Sequence, residues 1–168
     1  IIANPADKPR AIFVSGFDSA PLAPDVDFLL QNMDEEFLAG MEVLKKLSGG
    51  KVHLGLSDSS HFKGFSKLSG VDVNTFIGPH PAGNVGIQIH HVAPITKGEV
   101  VWTIDIQNLI ILGRVFKTGK LDMTKTIALP GSEIEQPKYY RDIAGTKTAI
   151  IVNSSITKHK ESYSDLVI

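Results

Sequence analysis

The sequence contains no cysteine in its 168 residues. Disulfide bonds, thiolate catalysis, cysteine-ligated zinc and iron–sulfur ligation are therefore excluded within this chain. Long apolar runs are missing as well, because a stretch such as Leu109-Ile110-Ile111-Leu112 is far shorter than the roughly 18 residues that a membrane helix needs. No segment is therefore predicted to span a membrane as a helix.

Neither sign of charge is in excess, since 17 Lys and Arg residues face 18 Asp and Glu residues, for a formal net charge of −1. A dedicated nucleic-acid binder needs a basic surplus to contact phosphates, so nucleic acid is not expected as a partner. Hydrophobic residues make up 42% and charged residues 21%, which is typical of a folded globular domain and not of a disordered chain.

Common signatures of nucleotide binding and hydrolysis are also missing. The first predicted strand is followed by Ser15-Gly16-Phe17-Asp18, which has too few glycines for the Gly-x-Gly-x-x-Gly pyrophosphate loop. Neither a Walker sequence nor a Gly-x-Ser-x-Gly nucleophile elbow occurs. A dinucleotide-binding module without the usual fingerprint stays open as one hypothesis.

The sequence instead alternates between strand-like and helical patterns. Short apolar runs bounded by Gly, Pro or Asp predict strands, and apolar residues three and four apart predict helices. The predicted strands cover 11–14, 51–56, 71–77, 100–104 and 124–129. The clearest helices are one over about 33–48 and one that follows Asp105 and ends at Lys117 and Gly119. Strands that alternate with helices at short spacing are typical of βαβ units, so we expect an α/β fold with a mostly parallel sheet.

Both clear helices carry sequence signals at their ends. Asn32 and Glu35 form a capping-box-like start for the first helix, and Asp105 is expected to cap the second. The first helix also has one apolar stripe, formed by Phe37, Met41, Leu44 and Leu47.

The segment Gly78-Pro79-His80-Pro81-Ala82-Gly83-Asn84-Val85-Gly86 follows the third predicted strand. Ligands of open parallel sheets bind beyond the carboxyl ends of the strands, so a site is expected here. Pro81 suits the first position of a helix, whereas Gly83 and Gly86 would each cost a helix about 1 kcal/mol relative to alanine. That cost implies a close approach, either of this segment to its own sheet or of a ligand or partner, and both readings stay open.

Residues 84–91 fit two patterns. Val85, Ile87 and Ile89 alternate with other residue types, which is typical of a strand, and β-branched residues favour strands too. A helix in this place would complete the β-α-β alternation, and we therefore predict a helix.

Three histidines, His80, His90 and His91, raise the question of a metal site. On a helical rise His80 and His90 would be about 15 Å apart, too far to bind one zinc ion. Adjacent His90 and His91 would diverge by about 100° on a helix, and no His-Glu-x-x-His sequence is present. We therefore predict no metal site, and we keep as the alternative function a free-standing α/β enzyme that uses the 78–91 loop for a metal or a substrate.

Several stretches spread over 8–147 match, in order, the pattern of one known family. They are 11–23 (beginning Ala-Ile-Phe-Val-Ser-Gly-Phe-Asp), 50–52, 78–83 with His90, 101–104 leading into Gln107-Asn108, 113–119, Pro137 with Arg141, and Gly145-Thr146. The run Gly-Pro-His-Pro-Ala-Gly is the most diagnostic of them. On these stretches the sequence resembles the A subunit of the Na+-translocating NADH:quinone oxidoreductase.

The resemblance implies a Rossmann-like three-layer domain, similar to the flavin domain of the NADH-oxidising subunit in complex I, and to the C subunit of the Rnf complex. It implies a peripheral position on the cytoplasmic face of the bacterial inner membrane, in a complex that couples NADH oxidation by quinone to Na+ export. The implied partners are other subunits, especially the membrane-embedded quinone-reducing ones, and quinone itself. The family's flavins and iron–sulfur centre belong to other subunits, so neither a bound cofactor nor catalysis is expected of this chain alone.

The chain starts at Ile1 and its first methionine is Met33, so we expect an internal piece of the subunit. Residues 1–136 would form the Rossmann-like domain, and 137–168 a linker and the beginning of a truncated β-grasp-like domain. Candidate contacts to quinone or a partner subunit, with no catalytic or metal-binding residue among them, are Pro79, His80, Pro81, Gly83, Gly86 and His90.

Apolar residues in the loops at the strand ends are further candidates for contact with a partner. They are Phe17, Pro21, Leu22, Phe62 and Phe65. The alternative is that these side chains pack within their own loops, since exposed apolar patches mark interaction sites only when they are large.

Overall fold

The computed structural model describes residues 3–132 and 134–152. The described part of the chain divides into two compact units, the first ending at residue 122 and the second beginning at residue 123. This division lies closer to the start of the chain than the predicted boundary between 136 and 137. The reason is that the strand that begins at Thr124 pairs with a later strand and not with the parallel sheet.

The helices and strands follow the predicted alternation through the first unit. In chain order they are β1 (Ala11–Gly16), α1 (Val26–Leu29), α2 (Asp34–Leu47), β2 (Lys51–Ser57), β3 (Val71–Phe76), α3 (Val85–Val92), β4 (Val101–Asp105) and α4 (Ile106–Thr118), with a 3-10 helix at Gly64–Lys67. The second unit contains β5 (Thr124–Leu129), β6 (Lys138–Ile143) and α5 (Thr148–Val152).

The first unit is built on a four-stranded sheet in the order β3-β2-β1-β4, and each neighbouring pair in it is parallel. The chain moves outward from β1 through β2 to β3, and then crosses back to place β4 on the other side of β1. Such a reversal of strand order is typical of doubly wound folds. The prediction of a Rossmann-like α/β domain with a mostly parallel sheet is confirmed.

Different helices cover the two faces of this sheet. Successive residues of a strand point to opposite faces, so each strand contributes side chains to both. On one face, strand residues pack with α2 and α4 in the larger core, whose buried members are Ile12, Val14, Leu30, Phe37, Met41, Leu44, Val52, Leu54, Leu56, Ile106, Leu109 and Ile110. On the opposite face, Ala11 and Phe13 pack against Ile89 of α3. This second side is called the α3 face below.

The structure confirms the predicted cap of α4 but not that of α2. Asp105 caps α4, since its carboxylate accepts a hydrogen bond of 2.9 Å from the Asn108 N–H. The prediction that Asn32 caps α2 is wrong: Met33 occupies that position, and Asn32 has a φ of 58° where a cap needs an extended backbone. The predicted stripe is buried at all its members except Leu47, which is half exposed.

Two glycines let α2 and α4 approach closely. A Cβ on Gly40 would lie 2.6 Å from the Leu109 carbonyl oxygen, and a Cβ on Gly113 would collide with the Glu36 carbonyl. Close to this crossing, Lys117 at the end of α4 forms ion pairs with Glu35 and Glu36 at the start of α2, at 2.6 and 3.3 Å. The larger core therefore depends on backbone contact between the two helices.

Residues 85–92 form a helix, so the predicted helix is confirmed and the alternating strand pattern is misleading here. The expectation that Pro81 occupies the first helical position is wrong, because α3 begins at Val85 after an extended Asn84. Pro81 lies instead in a turn, in which the Ala82 N–H donates to the Pro79 carbonyl over 2.9 Å.

The second unit has its own local order. β5 and β6 pair in an antiparallel fashion, with Thr124 opposite Ile143 and Leu129 opposite Lys138. Leu129 packs with Ile151 and Val152 of α5 in a small core. The expectation that strand 124–129 continues the parallel alternation is therefore wrong. Residues 153–168 of the predicted β-grasp-like beginning lie outside the described residues.

Candidate functional site

Two loops meet at the carboxyl edge of the parallel sheet, where the sequence predicts a site. One follows β1 and the other follows β3, and Gly83 of the second lies against Ser19 of the first. The Gly83 N–H donates to the Ser19 hydroxyl oxygen over 2.7 Å, and a Cβ on Gly83 would collide with the Ser19 backbone nitrogen. Packing therefore explains the glycine at 83.

Ser19 also reaches the exposed histidine of the motif. Its hydroxyl oxygen lies 3.3 Å from His80 Nδ1, so it accepts from the Gly83 N–H and can donate its own proton to an imidazole protonated at Nε2. We call Ser19, His80 and Gly83 the loop latch. The latch fixes the exposed tip of the 78–83 segment relative to the end of β1.

A buried glutamine seats α3 beneath this tip, and the sequence patterns did not reveal it. Gln88 is 1% exposed, and its side-chain amide donates to the Gly83 carbonyl over 3.4 Å. Its Oε1 lies 2.5 Å from where a Cβ of Gly55 would be, so only a glycine on β2 leaves room for it. A polar residue on an amphipathic helix is ordinarily assigned to the solvent side, which is why pattern reasoning missed it.

The other predicted contact residues are not part of the loop latch, and they are exposed. Pro79, Pro81 and His90 are exposed, and the His90 ring lies 5.5 Å from that of His91 in an edge-to-face arrangement. Gly86 is exposed and a Cβ there would have nothing within 4 Å, so close packing on its own sheet is ruled out as its explanation. Contact of Gly86 with a ligand or partner remains a prediction.

A metal centre has little support at this edge. Among residues 3–132 and 134–152, no three His, Cys, Asp or Glu side chains come together in a way that could hold a metal ion. Within this part of the chain, no observation supports the alternative of a free-standing enzyme that uses a metal.

A cavity of about 520 Å³ opens beside the latch, at the carboxyl ends of β1 and β2. Its charged side chains are aspartates, and each already has hydrogen bonds to the loops. Asp18 accepts from the Ala20 N–H, Asp25 caps α1, and Asp27 accepts 2.6 Å bonds from the Ser60 hydroxyl and the His61 N–H. We call it the acidic cavity.

The acidic cavity is a poor place for a phosphate group. Three carboxylates repel an anion, and the preceding loop lacks the consecutive glycine N–H groups that cradle pyrophosphate. At the carboxyl ends of β1 and β2, this chain therefore presents carboxylates and not a glycine-rich loop.

Two of the aromatic candidates at the strand ends pack inward. The Phe62 ring meets the Phe37 ring edge-to-face with centroids 4.9 Å apart, and Phe65 also packs against the larger core. Leu22, by contrast, is 67% exposed. The two phenylalanines therefore pack against the larger core, which is neither an exposed contact surface nor packing confined to their own loops.

Comparison with known proteins identifies close sequence relatives. A family model described as the NqrA second alpha/beta domain matches residues 1–121. The A subunit of the Na(+)-translocating NADH-quinone reductase of Serratia proteamaculans is 41% identical over 141 residues, which cover 84% of this chain and 31% of that relative. The proteins of the same name from Neisseria meningitidis and Rhodopirellula baltica are 35% and 37% identical, and the aligned parts cover 86% and 78% of this chain.

This chain thus spans about a third of the length of these relatives. Among solved structures, a chain of an NAD+-reducing [NiFe]-hydrogenase in the H2-reduced state matches 90% of this chain with a TM-score of 0.68 and 14% identity, which establishes a shared fold. None of the helices in the described ranges combines the length and the apolar character needed to cross a bilayer.

Proposed function

Since this chain belongs to the NqrA family and contains its second alpha/beta domain, we propose that it is a peripheral domain of a Na+-pumping NADH:quinone oxidoreductase. In this role it supports quinone reduction and the docking of other subunits, and it carries no redox cofactor of its own. Its place is the cytoplasmic face of the bacterial inner membrane. Its partners are the membrane-embedded quinone-reducing subunits, and flavins and the iron–sulfur centre are held elsewhere in the complex.

The observation that carries this proposal is an exposed tip held by a rigid base. Pro79, His80 and Pro81 are exposed, yet the loop latch and the buried Gln88 fix the backbone on which they stand. A preorganised surface loses less conformational entropy when it binds, so such a tip suits a contact with a partner or with quinone.

The chemistry of the acidic cavity supports a role without a bound dinucleotide or flavin. The position at the carboxyl ends of β1 and β2 offers carboxylates and loop hydroxyls instead of a phosphate cradle. The absence of cysteine from the sequence leaves no thiolate ligand for an iron–sulfur cluster. Flavin absorption in the purified chain would contradict this part of the proposal.

The test uses the full-length protein in the assembled complex. We expect His80→Ala and Pro79→Ala to lower quinone reductase turnover or recovery of the membrane subunits, because truncating a central contact typically costs more than about 1 kcal/mol, or roughly fivefold in affinity. His90→Ala tests the far end of α3, and Lys67→Ala, at an exposed position outside the 78–91 segment, is the control.

NADH oxidation by an artificial electron acceptor separates loss of this contact from general damage, and it should remain at the parental level. If all three variants retain parental quinone reductase turnover and co-purify normally with the membrane subunits, the tip does not make the proposed contact.

A further inference from the structure

A second cavity, of about 670 Å³, lies at the opposite end of the sheet from the loop latch. It opens on the α3 face, at the amino ends of β1, β2 and β3 and beside the carboxyl end of α3. Its polar lining comes from Arg10, Lys51, His53, Asp72 and Asn74, and Val92 and Ala93 form part of its apolar wall. Its volume is in the range of small-molecule sites.

His53 in this cavity is buried and incompletely paired. It is 5% exposed and stacks on Phe13 with the ring centroids 4.4 Å apart. Its Nδ1 is buried and has no hydrogen-bond partner among the described residues, which is uncommon because such atoms are costly to leave unpaired. Asp72 Oδ2 lies 3.8 Å from this nitrogen, too far for a hydrogen bond.

The carboxylate that could pair with His53 is held by another group. Lys51 Nζ lies 3.0 Å from the same Asp72 Oδ2, and the Lys51 side chain is largely exposed while that of Asp72 is about half exposed. Removal of Lys51 from this ion pair would leave Asp72 free to move the short distance toward the imidazole.

The lining of this cavity differs in charge from that of the acidic cavity. Its cations are Arg10 and Lys51, and each of them is paired with a carboxylate, Arg10 with Glu99 and Lys51 with Asp72. Arg10 is held in place by the carbonyls of Ala93 and Pro94 at 3.1 and 3.2 Å and by Glu99 at 3.2 Å. Lys51 is therefore the cation that is free to change partner.

We propose that this cavity binds a small-molecule oxyanion, a carboxylate or a phosphate or sulfate ester, through Lys51. The anion takes the Lys51 ammonium group, Asp72 turns to accept a hydrogen bond from His53 Nδ1, and His53 gains a proton. Among the described residues, the charges that act on His53 are those of Asp72, Lys51 and Arg10, and Arg10 is itself paired with Glu99. Anion binding adds negative charge to this set, so proton uptake by His53 and anion binding favour each other.

The test is an NMR titration of the intact chain with sodium sulfate, whose charge stays constant across the pH range used, at about pH 6 and about pH 8. We expect saturable shifts of the His53 imidazole and of the backbone amides of 51–53 and 72–74, with tighter binding at the lower pH. Lys51→Gln should weaken binding about tenfold, the value of one charge-assisted hydrogen bond.

Lys67→Gln removes an exposed lysine on the 3-10 helix and is the matched control, with unchanged affinity expected. A parallel titration with succinate distinguishes a preference for carboxylates from one for tetrahedral anions. Shifts that do not saturate, that spread over exposed lysines in general, or that persist unchanged in Lys51→Gln overturn the proposal. Because Lys51 is exposed at a strand end, this variant is expected to fold, and its amide spectrum verifies that.

Discussion

Burial against Phe13 lowers the pKa of His53, because the charged imidazole loses its hydration there. The negative charge of Asp72 raises this pKa, and the positive charges of Lys51 and Arg10 lower it further, but burial is the largest effect. The unfolded chain, with a histidine pKa near 6.5, therefore takes up the proton first as the pH falls. The stabilising effect of a neutral His53 is fully present above that pH and is lost below it.

We expect His53→Gln to flatten the dependence of the unfolding free energy on pH between about pH 7 and about pH 5. Urea denaturation followed by circular dichroism at several pH values measures this dependence. Parallel stability curves for the parent and His53→Gln would show that His53 keeps its ordinary pKa in the fold.

Two glycines in the same motif should respond oppositely to alanine. A Cβ at Gly86 meets no atom within 4 Å, so Gly86→Ala should stabilise the chain by about 0.5–1 kcal/mol through helix propensity. A Cβ at Gly83 collides with the Ser19 backbone, so Gly83→Ala should destabilise it by about 1–3 kcal/mol. Chemical denaturation compares both with the parent, and equal effects would contradict the structure of the latch.

Gly86→Ala also bears on function. If Gly86 contacts quinone or a partner, the stabilised variant should show lower quinone reductase turnover in the assembled complex. Parental turnover would leave Gly86 outside the contact, while the effect on stability stands separately.

The elements of the first unit could be predicted from the sequence because their signals are local. Apolar runs with flanking Gly or Pro placed β1 to β4, and the Asp105 cap placed the start of α4. The partners of a strand are decided by distant residues, so nothing local distinguished the antiparallel β5 from the parallel strands before it.

For the candidate site, too, the sequence predicts some features and not others. Its position after β3 follows from the general rule that ligands bind beyond the carboxyl ends of parallel strands. The roles of Ser19 and Gln88 depend on contacts across 64 and 5 residues of sequence, and no periodic pattern encodes either contact. Gly83 was recognised as a close approach, but which atoms approach it required the fold.

The stability of the first unit is sensitive to substitution where α2 and α4 cross. We expect Gly113→Ala to destabilise the first unit by about 1–3 kcal/mol, although alanine favours a helix by about 1 kcal/mol over glycine, because the added Cβ overlaps the Glu36 carbonyl. Thermal unfolding measures the loss. Lys46→Ala on exposed α2 surface is the control and should change stability by less than about 0.5 kcal/mol.

At the scale of the whole molecule, the first unit has its own core and sheet. The buried residues of the larger core all precede residue 123, and the family model also ends within this unit. We therefore expect a chain truncated after Asp122 to fold alone, with dispersed amide signals and a cooperative urea transition. A non-cooperative transition, or loss of near-ultraviolet circular dichroism, would mean that the second unit is required for folding.

The two cavities also have a consequence for encounters in solution. They differ in charge at opposite ends of the parallel strands: three aspartates line one cavity, whereas Arg10 and Lys51 at the other are balanced by Glu99 and Asp72. This difference in charge gives the domain a dipole along the strand axis. The dipole acts at long range, so it orients a charged partner toward one end of the domain before the two surfaces touch. This orienting force should weaken steeply as added salt shortens the Debye length, which makes association kinetics at varied ionic strength a direct measure of it.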